Sequence, residues 1–298
     1  MKARRPNPNL RQSSHKKGSA IPPAATGKDV SEKAMRLRSS PASVAAGERA
    51  DGARWIYGRH AVRAALTNPE RRWYRLVTLP KHQLEARALV SSAQARRIGE
   101  GALIEVLDHQ GFRRILPDRV VHQGLALAVE PLAEPDIEWL LQLADRVPYR
   151  RVVVILDRVS DSQNLGAVLR SAAAFGALGV VLAAHGAPPV TGALAKTASG
   201  ALESVPLVRV VNLARTLDEL KEAGFWVCGL EEAASQLLTA LDLGPRVAIV
   251  LGSEGGGLRR QVRERCDYLA RLPTRSEHPT LNLSNAAAVA LYELLARQ

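Results

Sequence analysis

The sequence predicts an α/β fold: a doubly wound parallel sheet in the C-terminal half, preceded by a small α/β unit. Three observations carry this expectation. From Arg151 onward, apolar runs alternate regularly with helical stripes, the pattern of successive strand–helix units. Val152–Leu156 is apolar throughout, as expected of a strand covered on both faces. Three segments, 156–176, 249–258 and 272–293, each run from an apolar stretch through a polar loop into a helix start. Loops at the ends of buried parallel strands are where open α/β sheets place ligands.

Taken in order, residues 1–53 are rich in Pro, Ser, Ala, Gly and Lys/Arg without sustained periodicity. They read as a disordered basic arm. An organellar transit peptide is the competing reading, but no amphipathic helix is evident. Residues 54–131 form the small unit. A helix is expected at 58–68, with Ala61, Val62, Ala65 and Leu66 on one stripe. A strand at 75–79, a helix at 82–98 and strands at 103–107 and 125–129 follow. Residues 132–148, with Pro131, Pro135 and Pro148 around an acidic stretch, read as a linker with one short helix. The larger unit, 149–298, is expected to carry strands at 152–156, 179–184, 207–211, 225–229, 247–251 and 268–272. Its helices are expected at 166–175, 213–223 and 258–265, with a closing helix after the third segment.

The chain has 298 residues and is 46% hydrophobic, enough for two cores. No apolar run approaches the roughly 18 residues needed to span a bilayer, and no secretory h-region is visible. Cys228 and Cys266 have no Cys/His cluster beside them. They read as buried thiols of a cytoplasmic protein, with neither a disulfide framework nor a metal site. The net charge is +12, with +8 in residues 1–50, +6 in 54–131 and only +2 in 149–298. Nucleic acid is the natural partner for such a distribution. A basic tail that binds nothing specific is the alternative.

The three loops hold Asn164, Arg170, Glu254, Asn282 and Ser284 among several glycines. Two amides, a guanidinium, an acid and a hydroxyl suit a site that orients a polar substrate. The stretch Gly252–Gly257 is not a dinucleotide fingerprint, because it comes late in its domain and leads into Leu258-Arg259-Arg260. No P-loop is present either. Asp161 or Ser162 is suited to cap the first motif helix, Ser284 and Asn285 to cap the last, and Asn282 to bridge its loop. Arg170 lies in an otherwise apolar, small-residue helix and must snorkel or meet an anion.

These three segments resemble the motifs of the SpoU family of RNA ribose 2′-O-methyltransferases. The stretches YGRHAV (57–62), VVHQGLAL (120–127) and KTASGALESVPLVRVVNLARTL (196–217) extend the resemblance to the branch acting on a guanosine of the peptidyl-transferase region of 23S rRNA. The resemblance covers about residues 54–298. It implies a SPOUT-like domain with a C-terminal trefoil knot, S-adenosylmethionine as cofactor and a homodimer. It also implies an RNA-binding role for residues 54–131, where Arg71, Arg72, Arg75, Arg96, Arg97, Arg113 and Arg114 are suitable phosphate contacts. Asn164, Arg170, Glu254, Asn282 and Ser284 match the motifs' polar positions. Gly252, Leu272 and Leu281 match positions whose backbone holds the cofactor. No metal or membrane is implied. The family commonly has proline at Ser162, serine at Thr280, an apolar residue at Asn285 and a smaller loop where 275–279 stand. His278 in that loop reads as solvent-facing rather than as a base. A tRNA methyltransferase, a catalytically silent RNA-binding protein of the same fold and a nucleotide-dependent oxidoreductase are the competing functions. The intact polar set argues against the second, and the missing fingerprint against the third.

Overall fold

Alternate side chains of the strand Arg151–Leu156 enter two different apolar clusters: Val152, Val154 and Leu156 one, Val153 and Ile155 the other. This strand is therefore covered on both faces, as its unbroken apolar run requires. The computed structural model describes residues 54–98, 103–253, 255–275, 277 and 280–296.

The small unit comprises β1 (Arg54–Tyr57), α1 (Arg59–Thr67), β2 (Arg72–Thr78), α2 (Gln83–Ser91), β3 (Arg96–Arg97), β4 (Ile104–Val106), α3 (His109–Ile115) and β5 (Leu125–Val129). Its sheet runs β1-β5-β2-β3, with β4 also paired to β2. The β1–β5 and β2–β5 ladders are antiparallel, whereas β3 and β4 lie parallel to β2. The helix expected through residue 98 stops at Ser91. The Ser91 and Ser92 hydroxyls donate back to the carbonyls of Arg87 and Ala88. The amides of Gln94 and Ala95 both turn to the Leu66 carbonyl. Serine hydroxyls compete with helix continuation in this way. Sequence reasoning missed the short β1 and α3; α3 is capped by Asp108, whose carboxylate accepts the Gly111 amide at 2.7 Å.

The larger unit contains α4 (Ile137–Arg146), β6 (Arg151–Leu156), α5 (Ser162–Phe175), β7 (Gly179–Ala183), α6 (Gly192–Thr197), β8 (Leu207–Val210), α7 (Leu213–Glu222), β9 (Trp226–Leu230) and β10 (Gln236–Leu237). It continues with β11 (Arg246–Leu251), α8 (Arg260–Arg263), β12 (Tyr268–Arg271) and α9 (Leu283–Leu291), extended by a π-helical turn over Tyr292–Ala296. Its seven strands are all parallel, in the order β10-β12-β9-β11-β6-β7-β8. Helices α5, α6 and α9 cover one face through Leu165, Leu169, Leu194, Leu283 and Ala287. Helices α4, α7 and α8 cover the other through Leu140, Ala144, Leu217, Leu220 and Val262. The sheet is doubly wound, as predicted. The helix within 132–148 does more than connect, since Leu140 and Ala144 are fully buried against that second face.

Chain order reverses beside β6: β7 and β8 lie to one side, β11 and β9 to the other. The loops after β6 and β11 thus leave adjacent strands at a topological switch point. The small unit shares a core with the large one, since Ile56, Val62 and Leu66 belong to the same cluster as Leu165, Leu194 and Leu202. A Cβ on Gly192 would stand 2.4 Å from the Trp55 carbonyl oxygen, so only glycine admits that contact. Arg71 and Glu203 fasten the same seam, both nearly buried, through Nε–Oε2 and Nη2–Oε1 bonds of 3.1 and 2.5 Å.

Candidate active site

Helix α5 begins earlier than the expected Gly166 because the Asp161 carboxylate accepts the Gln163 amide at 2.9 Å. This places Asn164 within the first turn, half-buried. Asn282 faces it from the start of α9. Its Oδ1 accepts the Ser284 backbone N–H at 2.9 Å, which fixes the orientation of the amide. Its Nδ2 therefore donates to Asn164 Oδ1 at 3.1 Å. The Ser284 hydroxyl donates to Asn282 Oδ1 at 2.6 Å. Asn282, not Ser284 or Asn285, is the cap of α9. One residue thus caps a helix and joins the first and third motifs. With its proton committed to Asn282, Ser284 Oγ faces any ligand as an acceptor only.

Arg170 is exposed and six residues further along α5, roughly 9 Å along the axis and on a different face from Asn164. Among the described residues nothing pairs with it. The fold therefore gathers Asn164, Asn282 and Ser284 and leaves Arg170 apart from them. Glu254 lies outside the described residues, as do His278 and most of the loop around it.

The backbone of the second motif closes on itself. Ser253 N–H donates to the Gly257 carbonyl, and the amides of Gly256 and Gly257 donate to the Ser253 carbonyl. A Cβ on Gly252 would stand 2.2 Å from the Gly257 carbonyl carbon, a contact no side chain can make. Gly255 and Gly257 take φ of +74° and +58°, and added Cβ atoms there meet nothing within 4 Å. The result is a closed turn with open backbone, a surface a ligand can approach closely. Leu272 is half-buried against the core at the end of β12, and Leu281 is exposed just before α9.

Sequence reasoning missed the residues that hold this turn in place. Asp157, at the end of β6, is completely buried. Its carboxylate accepts the Arg259 backbone amide at 2.9 Å and the Arg259 Nε–H at 2.6 Å. The first motif's strand thereby anchors the second motif's loop. Arg158 follows with φ of +63°, strained for an arginine. Its Nη2 lies 3.6 Å from where a Cβ on Gly256 would stand. A charge directly after an apolar strand was the available signal for both.

Several expected phosphate contacts are already engaged. Arg71 is buried against Glu203 and cannot reach a ligand, so that expectation is corrected. Arg72 and Arg75 pair with Glu130 and Glu105 at 3.2 and 2.8 Å, and Arg97 donates to the Tyr74 carbonyl. Arg96, Arg113 and Arg114 are exposed. Burial pushes the thiols of Cys228 and Cys266 up to about 12, so neither is a nucleophile at neutral pH. Among the described residues no group of three or more His, Cys, Asp or Glu could hold a metal, and no helix is long and apolar enough to cross a membrane.

Known proteins match both units. Residues 151–292 match the SpoU rRNA Methylase family, and residues 55–135 match a family described as RNA 2′-O ribose methyltransferase substrate binding. The 23S rRNA (guanosine-2′-O-)-methyltransferase RlmB of Coxiella burnetii is 38% identical over 240 residues, covering 80% of this chain and 94% of its own. A Synechocystis protein named an uncharacterized tRNA/rRNA methyltransferase is 36% identical over 80% of this chain, which spans 61% of that relative's length. Among solved structures, the SpoU methyltransferase AviRb from Streptomyces viridochromogenes, in complex with AdoMet, superposes with a TM-score of 0.66 at 24% identity, over 83% of this chain and 90% of that one. An AdoMet-bound rRNA methyltransferase from Sinorhizobium meliloti gives 0.64 at 24%, over 82% and 87%. The likeness to these two is one of fold, while the two family matches span both sheets and all three motif loops, and with a relative 38% identical over 80% of its length the chain belongs to the SpoU methylase family.

Proposed function

We propose that this protein transfers a methyl group from S-adenosylmethionine to the ribose 2′-hydroxyl of a guanosine in the peptidyl-transferase region of 23S rRNA. The observation that carries the reading is the 38% identity, over 80% of the chain, to a guanosine-2′-O-methyltransferase. The Asn164–Asn282 contact between the first and third motifs supports it. The closed Gly252–Gly257 turn, anchored on Asp157, fits a cofactor held by backbone in the company of Leu272 and Leu281. The cofactor supplies a methyl group activated on a sulfonium sulfur.

The chain's own residues must position a ribose hydroxyl and manage its proton. A guanidinium with pKa above about 12 is a poor base, so Arg170 acts as an anchor for phosphate and developing oxyanion. Its lack of a partner among the described residues leaves it available for this. Asn164, Asn282 and Ser284 orient the nucleotide, with Ser284 Oγ accepting, and Glu254 completes the set. Fixing nucleophile and methyl in line supplies much of the rate.

The small unit, 54–131, serves as the RNA-binding domain and 149–298 as the catalytic one. The catalytic domain's C-terminus carries a trefoil knot. Support comes from the family match over residues 151–292. The protein acts as a cytoplasmic homodimer; Leu281, Val289 and Tyr292, exposed around α9, offer an apolar face for a second copy.

The test is transfer of labelled methyl from S-adenosylmethionine to transcripts of 23S rRNA and of tRNA, with the modified position mapped. Methylation confined to tRNA would move the substrate, and none on either would remove the activity. Arg170→Ala should lower turnover about a hundredfold or more while cofactor affinity stays within a few-fold. Loss of both would place Arg170 in the cofactor site.

A further inference from the structure

The stretches 57–62 and 120–127 supply none of the methyl-transfer residues, yet the fold brings them together. The loop 120–124 lies against the start of α1, where a groove of about 400 Å³ opens between Arg59, Lys81, His82, His109, His122 and Gln123. Lys196, from α6 of the catalytic domain, reaches the same place: its Cγ is 3.4 Å from where a Cβ on Gly58 would stand.

The backbone is shaped to form this groove. Gln123 takes φ of +54°, costly without a compensating contact, and its Oε1 accepts the Arg59 amide at 3.1 Å. Gly124, at φ +81°, leaves room for the His82 ring, whose Cδ2 would be 2.1 Å from an added Cβ. Arg59 Nη2 stands 2.9 Å from His82 Nδ1 and 3.1 Å from the Glu85 carboxylate. A guanidinium only donates, so His82 Nδ1 is the acceptor in this contact. His122 stacks on Phe112 with ring centroids 4.1 Å apart, and His109 approaches its edge at 6.1 Å. Glu85 offsets one of the three fixed cations Arg59, Lys81 and Lys196, and the rim stays positive.

We propose that this groove is an anion subsite that holds a backbone phosphate of the substrate RNA, with Gln123 and the His122 ring beside the flanking nucleotide. The proposal rests on reading the chain as an RNA methyltransferase. Burial lowers the His122 pKa, and the charges of His109 and Lys196 add to the shift. The groove also connects to the reaction centre. Thr197, next to Lys196, donates to Gln163 of α5 at 3.2 Å, and a Cβ on Gly166 would stand 2.6 Å from Thr197 Cγ2. Helix α6 thus joins the groove to the helix that carries Asn164 and Arg170. A phosphate captured here sets the register of the strand that is methylated.

The experiment uses the full chain and a labelled RNA hairpin of the peptidyl-transferase region, with affinity measured across a salt series. Lys196→Gln and the surface variant Lys81→Gln should each weaken binding about three- to tenfold and flatten the log–log salt slope by about 0.7–0.9. Lys196→Arg should restore both, and cofactor affinity should not change. In wild-type protein the imidazole resonances of His122 report directly. A bound phosphate favours the imidazolium, so RNA should raise the His122 titration midpoint, and binding should strengthen as pH falls. His109, His82, Arg59, Lys81, Glu85 and Lys196 face that ring or its groove, and their variants separate its titration from theirs. If RNA binds and is methylated while both glutamine variants bind it like the wild type and RNA leaves the His122 midpoint unchanged, the subsite is overturned and the enzyme stands. If the wild type neither binds nor methylates RNA, both fall.

Discussion

Among the arginine–carboxylate pairs that join distant parts of this chain, Arg71–Glu203 and Asp157–Arg259 do so differently. Arg71 and Glu203 lie between the two units with only 5% and 7% of their side chains exposed. Asp157 and Arg259 lie under the second motif loop, the carboxylate fully buried and the arginine 42% exposed. In the first pair both charges have left water, so each depends on the other. Arg71 makes a further bond to the Glu130 carbonyl, and Glu203 a further bond from Asn68. In the second pair the arginine can turn to water while the acid cannot. The seam is therefore built to be permanent. The loop anchor holds a backbone turn in position, and its loss is expected to be felt locally.

The sharpest way to break this comparison is Glu203→Ala, which strands a buried guanidinium. The expected cost is about 3–5 kcal/mol, a fall in melting temperature of about 10 °C. Replacing both partners, Arg71→Met with Glu203→Leu, should recover most of it, because a buried pair is worth little against apolar packing. A single variant that melts like the wild type would show that the seam does not rely on this pair.

Next in size is Gly252→Ala. Its methyl group would meet the Gly257 backbone at 2.2 Å, so the turn must open. Stability should fall by roughly 1–3 kcal/mol, and S-adenosylmethionine affinity by tenfold or more, measured by calorimetry. Unchanged cofactor affinity would remove this turn from the cofactor site. Asp157→Asn should follow. The amide can still accept one N–H, but its NH2 opposes the Arg259 Nε–H. A lost charge-assisted bond of this kind is worth about 1.5–3 kcal/mol. Hydrogen exchange should show the loss confined to the 251–259 loop and β6. Exchange rising throughout the molecule would make this pair as global as the seam.

The same contrast explains what the sequence made legible. Apolar runs at 152–156 and 247–251 specify their own strands, since burial on both faces leaves no other reading. Helix α7 declares its stripe, Leu213, Leu217 and Leu220, locally. The candidate residues Asn164, Asn282 and Ser284 stood out because each lies at the passage from a strand into a helix. What stayed hidden depends on partners far along the chain. Arg71 reads as a surface cation until Glu203, 132 residues later, is folded against it. Asp157 reads as a loop residue until Arg259 arrives. Helix α6, only six residues long and starting three residues after the Pro188-Pro189 pair, is too short for any periodicity to declare it. Its place is set by packing on α5 and β1.

Ser284→Ala is the smallest expected effect, and it separates capping from chemistry at the one point where both meet. Asn282 Oδ1 accepts two donors, the Ser284 backbone amide at 2.9 Å and its hydroxyl at 2.6 Å. Removing the hydroxyl leaves the amide, and with it the cap and the bond to Asn164. The stability cost should be only about 0.5–1 kcal/mol, and cofactor affinity should hold. If Ser284 Oγ accepts from the ribose or its neighbour, turnover should fall several-fold more than stability explains, and Ser284→Thr should rescue part of it. Asn282→Ala is the comparison that sharpens this. It removes the cap, at about 1 kcal/mol, and the contact between the first and third motifs together. Stability and turnover should then fall in concert. If Ser284→Ala loses stability but no turnover, Ser284 only steadies Asn282, and the proposed orienting role falls to the asparagine pair.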